Sequence, residues 1–202
     1  MSWPLVDELH TRFPDVEPFP RPDEGHAAEG PAEGRAPRRG PGAAGHGDTT
    51  FTHHVPGAWV PVGRLLEIAR VLRDDAPFRL DYCSFVSAVD WPDQRIFEVA
   101  YHLFSMEKRH EMLIKVRVPR DDARLASVTG LWSGANWHER ETYDLFGITF
   151  EGHPDLRRIM MTEDWHGHPL RKDYVYEEPQ WLVDLVTQRQ REIEGLGLGS
   201  RA

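Results

Sequence analysis

The sequence predicts an α+β domain, a two-layer arrangement of helices on a mostly antiparallel or mixed sheet, followed by an extended C-terminal strap. Three patterns carry that expectation. Apolar residues at Leu65, Ile68, Ala69 and Leu72 recur at i, i+3, i+4 and i+7, the spacing of an amphipathic helix whose stripe needs a sheet to cover. Residues 96–105 and 111–118 flank the polar turn Met106-Glu107-Lys108-Arg109-His110, so an antiparallel hairpin is the simplest arrangement. Beyond residue 150 the periodicity stops, prolines recur and the chain turns basic and aromatic, as in extended backbone.

Composition bounds the rest. With 202 residues, 40% apolar and 28% charged, the chain suits one globular domain plus tails. A single cysteine, Cys83, can neither close an internal disulfide nor hold an iron–sulfur cluster through the usual cysteine ligands. The net charge of −9 argues against nucleic-acid binding, which needs a concentrated basic surface. Residues 1–15 carry Asp7, Glu8 and Asp15 and no basic head before an apolar run, so no secretory or transit leader is expected. Nor is there an apolar run of about 18 residues to span a bilayer. A cytoplasmic chain follows from these expectations.

Taken in order, residues 1–50 are expected to be a flexible extension, because 14–48 are rich in Pro, Gly, Ala, Arg and Glu and can bury little; 1–13 form at most a short docking segment. Residues 51–150 form the α+β domain. Its helix is placed at 62–73, a strand at 78–89 and a turn at Trp91-Pro92-Asp93. In the second hairpin arm Met112, Ile114, Val116 and Val118 alternate with Glu111, Leu113, Lys115 and Arg117, the pattern of a sheet covered on one side. No strand–glycine loop–helix unit of the nucleotide-binding type occurs in this core.

A second helix is expected from Asn136, with Glu139 three residues on as a capping box and Gly147 in the left-handed conformation that ends it. Arg140 and Asp144, four apart, are expected to face each other. Trp137, Glu141, Tyr143 and Phe146 spread around this helix, so it should meet protein on several sides. Ile148-Thr149-Phe150 reads as a short strand, residues 151–178 as an extended inter-subunit segment, and 179–202 as a short helix and disordered tail.

Candidate chemistry is sparse. His138-Glu139-Arg140-Glu141 lacks the second histidine of a zinc-protease helix, and His166 and His168 are separated by Gly167 and followed by Pro169, which disfavour a regular strand. Glu139 and Glu141 diverge on a helix, and Cys83 lies in an apolar strand where an inert thiol is the usual outcome. No catalytic residue, metal site or cofactor site is expected.

The run Glu139-Arg140-Glu141, Asp144-Leu145-Phe146-Gly147-Ile148, Gly152-His153-Pro154, Leu156-Arg157-Arg158-Ile159 and Pro169-Leu170-Arg171-Lys172-Asp173-Tyr174 resembles the signature of the 30 kDa subunit family, the C subunit, of respiratory NADH:quinone oxidoreductase (complex I). One departure is Val175, where that family usually has proline. The resemblance implies a cofactor-free scaffold, with FMN and iron–sulfur clusters in partner subunits. It implies docking first on the D subunit, beside the quinone-reducing chamber, contact with the cluster-bearing subunits B and I, and quinone met only through the complex. It also implies a peripheral place on the cytoplasmic face of the bacterial membrane, reached indirectly. Glu139, Arg140, Glu141, Asp144, Phe146, Gly147, His153, Pro154, Arg157, Arg158, Pro169, Leu170, Arg171, Lys172, Asp173 and Tyr174 would then be interface or fold-fixing residues. The alternative within the superfamily is the equivalent subunit of a membrane-bound hydrogenase or a quinone reductase with another donor.

Overall fold

The hairpin forms as its alternation demands. In the computed structural model, which describes residues 4–20, 55–176 and 180–195, β4 (Ile96–Phe104) pairs antiparallel with β5 (Glu111–Pro119). The register sets Phe97 opposite Val118, Val99 opposite Val116, Tyr101 opposite Ile114 and Leu103 opposite Met112, and all eight side chains are buried. β3 (Tyr82–Trp91) adds antiparallel to β4, with a register shift between Cys83 and Phe85. It starts later than expected because Arg79 has φ 51° and turns the chain between the buried Phe78 and Leu80.

β2 (Gly57–Trp59), which the sequence pattern did not reveal, runs parallel to β5, and β1 (Glu17–Pro18) pairs antiparallel with β2. The mixed sheet therefore has the order β1-β2-β5-β4-β3. Gly57 makes the close approach feasible: a Cβ there would lie 2.1 Å from the Leu113 carbonyl oxygen and 2.4 Å from the Phe19 ring. After a 3-10 turn at Val62–Arg64, α2 (Leu65–Asp74) buries Leu65, Ile68, Ala69 and Leu72 as its spacing requires. β6 (Arg124–Ala126) and β7 (Thr149–Glu151) form a separate parallel pair, and α3 (Ala135–Phe146) packs on β3. The expected α+β class, helices on a mixed sheet, is what the chain adopts.

The N-terminus departs from expectation. Instead of a flexible extension, residues 4–20 form α1 (Pro4–Arg12) and β1, and Val6, Leu9, Phe13, Val16 and Phe19 join the main core. Burial of these apolar side chains outweighs the cost of ordering the segment. Arg12 also reaches Asp75 at 2.5 Å, although so exposed a pair adds little. Leu9 is fully buried, so L9A should cost about 2–4 kcal/mol in chemical denaturation, against near zero for a loose tail. The remainder of the expected linker, 21–48, lies outside the described residues. So does the tail from 196 to 202, whereas α4 (Gln180–Gly195) is longer than the short helix expected.

Candidate functional site

α3 ends at Gly147, which has φ 75° and donates its amide to Tyr143 O at 2.8 Å, the left-handed stop expected from the sequence. A helix leaves its last four carbonyls without intrahelical donors. Here the strap supplies the other three. His168 Nδ1 donates to Asp144 O at 2.9 Å, the Leu170 amide to Leu145 O at 3.0 Å, and Arg171 Nε to Phe146 O at 2.7 Å. Burial, with Arg171 and Arg158 nearby, holds the His168 pKa below its ordinary value, which keeps the ring neutral with one N–H to give. A Cβ on Gly147 would sit 2.5 Å from His168 Nε2 and 2.6 Å from an Arg171 nitrogen. G147A should therefore cost about 1–3 kcal/mol and loosen the strap, read as a lower melting temperature with faster amide exchange at 168–171.

Asp144 is the centre of the lock. One carboxylate oxygen accepts from the amides of Ile159, Met160 and Met161 at 3.0, 2.7 and 2.9 Å; the other accepts from Arg158 at 3.1 Å. Burial raises the cost of the charge, but three amides and a guanidinium overcome it, and the pKa falls below the ordinary aspartate value. Three successive amides aimed at one oxygen make an anion nest. Arg158 also donates to Gly167 O at 3.1 Å, tying two parts of the strap together.

The strap's far end docks on the sheet. Asp90, buried on the inner face in register with Phe97, accepts from Arg120 at 2.9 and 3.1 Å and from the Lys172 amide at 2.8 Å; Arg120 also donates to Asp173. Arg120 and Arg171 both lie over the Phe97 ring, at 5.7 and 5.3 Å. The local sequence pattern does not mark Arg120 or His168 as anchors. For Asp90 a signal existed: strand parity puts it on the face of Val86 and Ala88, where a lone carboxylate needs a partner.

Two local expectations are corrected. Asn136 and Glu139 form no capping box: Gly134 occupies the N-cap without a side-chain bond, and Glu139 points inward. Its carboxylate accepts from Ser127 Oγ at 2.6 Å and the Val128 amide at 2.7 Å, which ties α3 to the loop after β6. Burial outweighs those bonds and pushes its pKa up to about 7. Arg140 and Asp144 do not pair either, because Asp144 is taken by Arg158 and the nest, while Arg140 donates to Arg157 O at 3.3 Å.

Of the other signature residues, Phe146 is buried, Glu141, Pro154, Leu170, Lys172 and Asp173 are exposed, and Pro169 and Tyr174 are half-buried. His153 donates from Nε2 to Asn136 O at 3.2 Å and accepts the Asp155 amide at Nδ1, and the exposed Arg157 pairs with Asp155 at 3.0 Å. The strap thus folds back on its own domain. Cys83 is buried, with its thiol pushed up to about 12 by burial and by Glu139, which favours the protonated form at neutral pH. Among the described residues no group of three or more His, Cys, Asp or Glu is placed to hold a metal ion, and no helix is long and apolar enough to cross a membrane.

Residues 58–180 match the family described as the respiratory-chain NADH dehydrogenase 30 kDa subunit. The chain is 50% identical over 111 residues to the NADH-quinone oxidoreductase C subunit of Roseiflexus sp. (strain RS-1), covering 54% of this chain and 64% of that protein. It is 48% identical over 112 residues to the corresponding C subunit of Nocardioides sp. (strain ATCC BAA-499 / JS614), covering 54% and 45%. The chain thus spans roughly half to two-thirds of the relatives it matches. Among solved structures, a chain of the membrane-bound sulfane sulfur reductase, an archaeal respiratory membrane complex, superposes with a TM-score of 0.60 at 20% identity over 93% of this chain and 90% of that one, a likeness of fold. With the family's pattern matched across β2 to the strap, the chain belongs to the 30 kDa subunit family of respiratory NADH dehydrogenase, the C subunits of NADH-quinone oxidoreductase.

Proposed function

We propose that this chain is a cofactor-free, peripheral-arm subunit of a proton-translocating NADH:quinone oxidoreductase, which docks on the D subunit and holds the quinone-reducing module in register. The observation that carries the proposal is how the family's charged signature is used. Asp144, Arg158 and Arg171 are spent on fixing the strap to α3, the work of a rigid scaffold rather than of a reacting site. Contacts with subunits B and I, the cytoplasmic face of the membrane and access to quinone only through the complex belong to the same proposal.

Electron transfer to quinone depends on holding donor and acceptor close, so a subunit without redox chemistry contributes by rigidity. Truncating Arg158 or Arg171 should then release the subunit from the complex by loosening the strap. The second reading is the equivalent subunit of a membrane-bound hydrogenase or of a quinone reductase with another donor; a chain of a different respiratory membrane complex, the sulfane sulfur reductase, has the same fold. The test is to tag the chain in its native host, solubilise membranes in mild detergent, identify what co-purifies and assay NADH-driven quinone reduction. Cluster-bearing and membrane subunits with that activity are the expected result. A hydrogenase or other donor module would select the second reading, and a lone soluble protein would defeat both.

A further inference from the structure

Buried guanidinium groups need counter-charges, because a desolvated charge without a partner is costly. The half-buried arginines here mostly have them: Arg158 has Asp144, and Arg120 has Asp90 and Asp173. Arg171 and Arg140 do not; Arg171 is spent on the Phe146 carbonyl and the Phe97 ring, whereas Arg140 stands beside an exposed aromatic. Arg140 is only 7% exposed, meets no carboxylate among the described residues, and uses one of its five donors, Nε, on the long bond to Arg157 O. Asp144, one turn along, has both oxygens occupied, and Glu141 faces the groove beside Phe85 and Leu145. The terminal nitrogens of Arg140 are not sealed in either; the sealed, unpartnered side-chain atoms are Tyr101 Oη, His102 Nδ1 and Trp165 Nε1.

Beside this guanidinium stands Trp137, whose ring lies 5.0 Å from Arg140 Cζ and which is 62% exposed. An exposed tryptophan on a structured helix next to an uncompensated arginine is the composition of a binding hot spot. We propose that Arg140 and Trp137 form a socket for one Asp or Glu side chain of a neighbouring subunit, with the ring packing on the partner's flanking residues. The occupant is a single carboxylate because one guanidinium, that of Arg140, stands uncompensated beside the exposed ring. A phosphate-rich lipid or nucleic acid needs a cluster of free cations and would meet a chain of net charge −9, whereas one carboxylate needs only the Arg140 guanidinium. The inference rests on the reading of the chain as a complex subunit and names one contact in that assembly.

The experiment uses intact complex from cells whose only copy of the chain is the variant. With p-benzoylphenylalanine in place of Trp137, irradiation is expected to cross-link a partner-subunit peptide that contains Asp or Glu. W137A, at an exposed site, should melt with the wild type yet raise the fraction of chain washed off membranes by salt about tenfold. R140E should leave the complex, and changing the cross-linked acid to arginine should return it. If R140E fails to fold, the cross-link and W137A decide. Wild-type retention of both W137A and R140E, a cross-link to lipid, or a partner peptide without an acid would overturn the socket. If the tagged wild-type chain itself brings down no respiratory subunit, the failure belongs to the subunit reading instead.

Discussion

D144A is expected to lower the stability of the domain by about 3–5 kcal/mol, roughly a 10 °C fall in melting temperature, and to expose the strap to protease. The substitution strips the acceptor from three partly buried amides and leaves the Arg158 guanidinium, 18% exposed, without its counter-charge. Limited proteolysis should cut between residues 155 and 176 before the sheet unfolds. R158A should cost less, since the nest amides keep their oxygen. Because the Asp144 pKa is depressed, its contribution is present above the ordinary aspartate range near 3.8 and is lost only as pH falls through the lower folded value. D144A melting within about 2 °C of wild type, with the strap still protected, would falsify the lock.

Glu139 titrates in the opposite sense. Its folded pKa of about 7 lies above the ordinary 4.5, so the folded state holds the proton more tightly and stability falls as pH rises from about 4.5 to about 7. The full penalty above that window is of order 3 kcal/mol. Cys83 and Tyr101 share this buried region, but burial keeps both neutral there, the thiol at about 12 and the phenol well above its ordinary value. Ser127 accommodates either state of Glu139: its hydroxyl donates to the carboxylate, or accepts from the acid while donating to Thr129 Oγ1 at 2.8 Å. E139Q keeps the shape and an acceptor for the Val128 amide. It should flatten the pH dependence between 4.5 and 7.5 and be more stable than wild type at pH 8, by urea denaturation across pH. Parallel curves for the two proteins would sink the assignment.

The elements legible from sequence were those whose pattern is local. The stripe of α2, the alternation of β5 and Gly147 all follow from periods of 3.6 or 2 or from one backbone requirement, and each stands where expected. α1 carried the same kind of signal, since Val6, Leu9 and Phe13 are spaced for one helix face, but the proline-rich composition from Pro14 onward obscured it. β1 and β2 had almost none. They are two and three residues long and exist because they pair with each other and with β5.

At the site, residue order alone reveals that a dense run of charges surrounds α3 and that family membership lies in that run. It does not assign partners. Arg140 with Asp144 and Asn136 with Glu139 have the right spacing for local pairs, yet spacing offers only a few tenths of a kcal/mol on a helix surface. Folding brings more: three amides and a guanidinium for Asp144, a hydroxyl and an amide for Glu139, three strap donors for the end of α3. Each of those groups comes from at least eleven residues away in the chain. A buried charge takes whichever partners satisfy it best, and only the folded chain decides which of them are within reach.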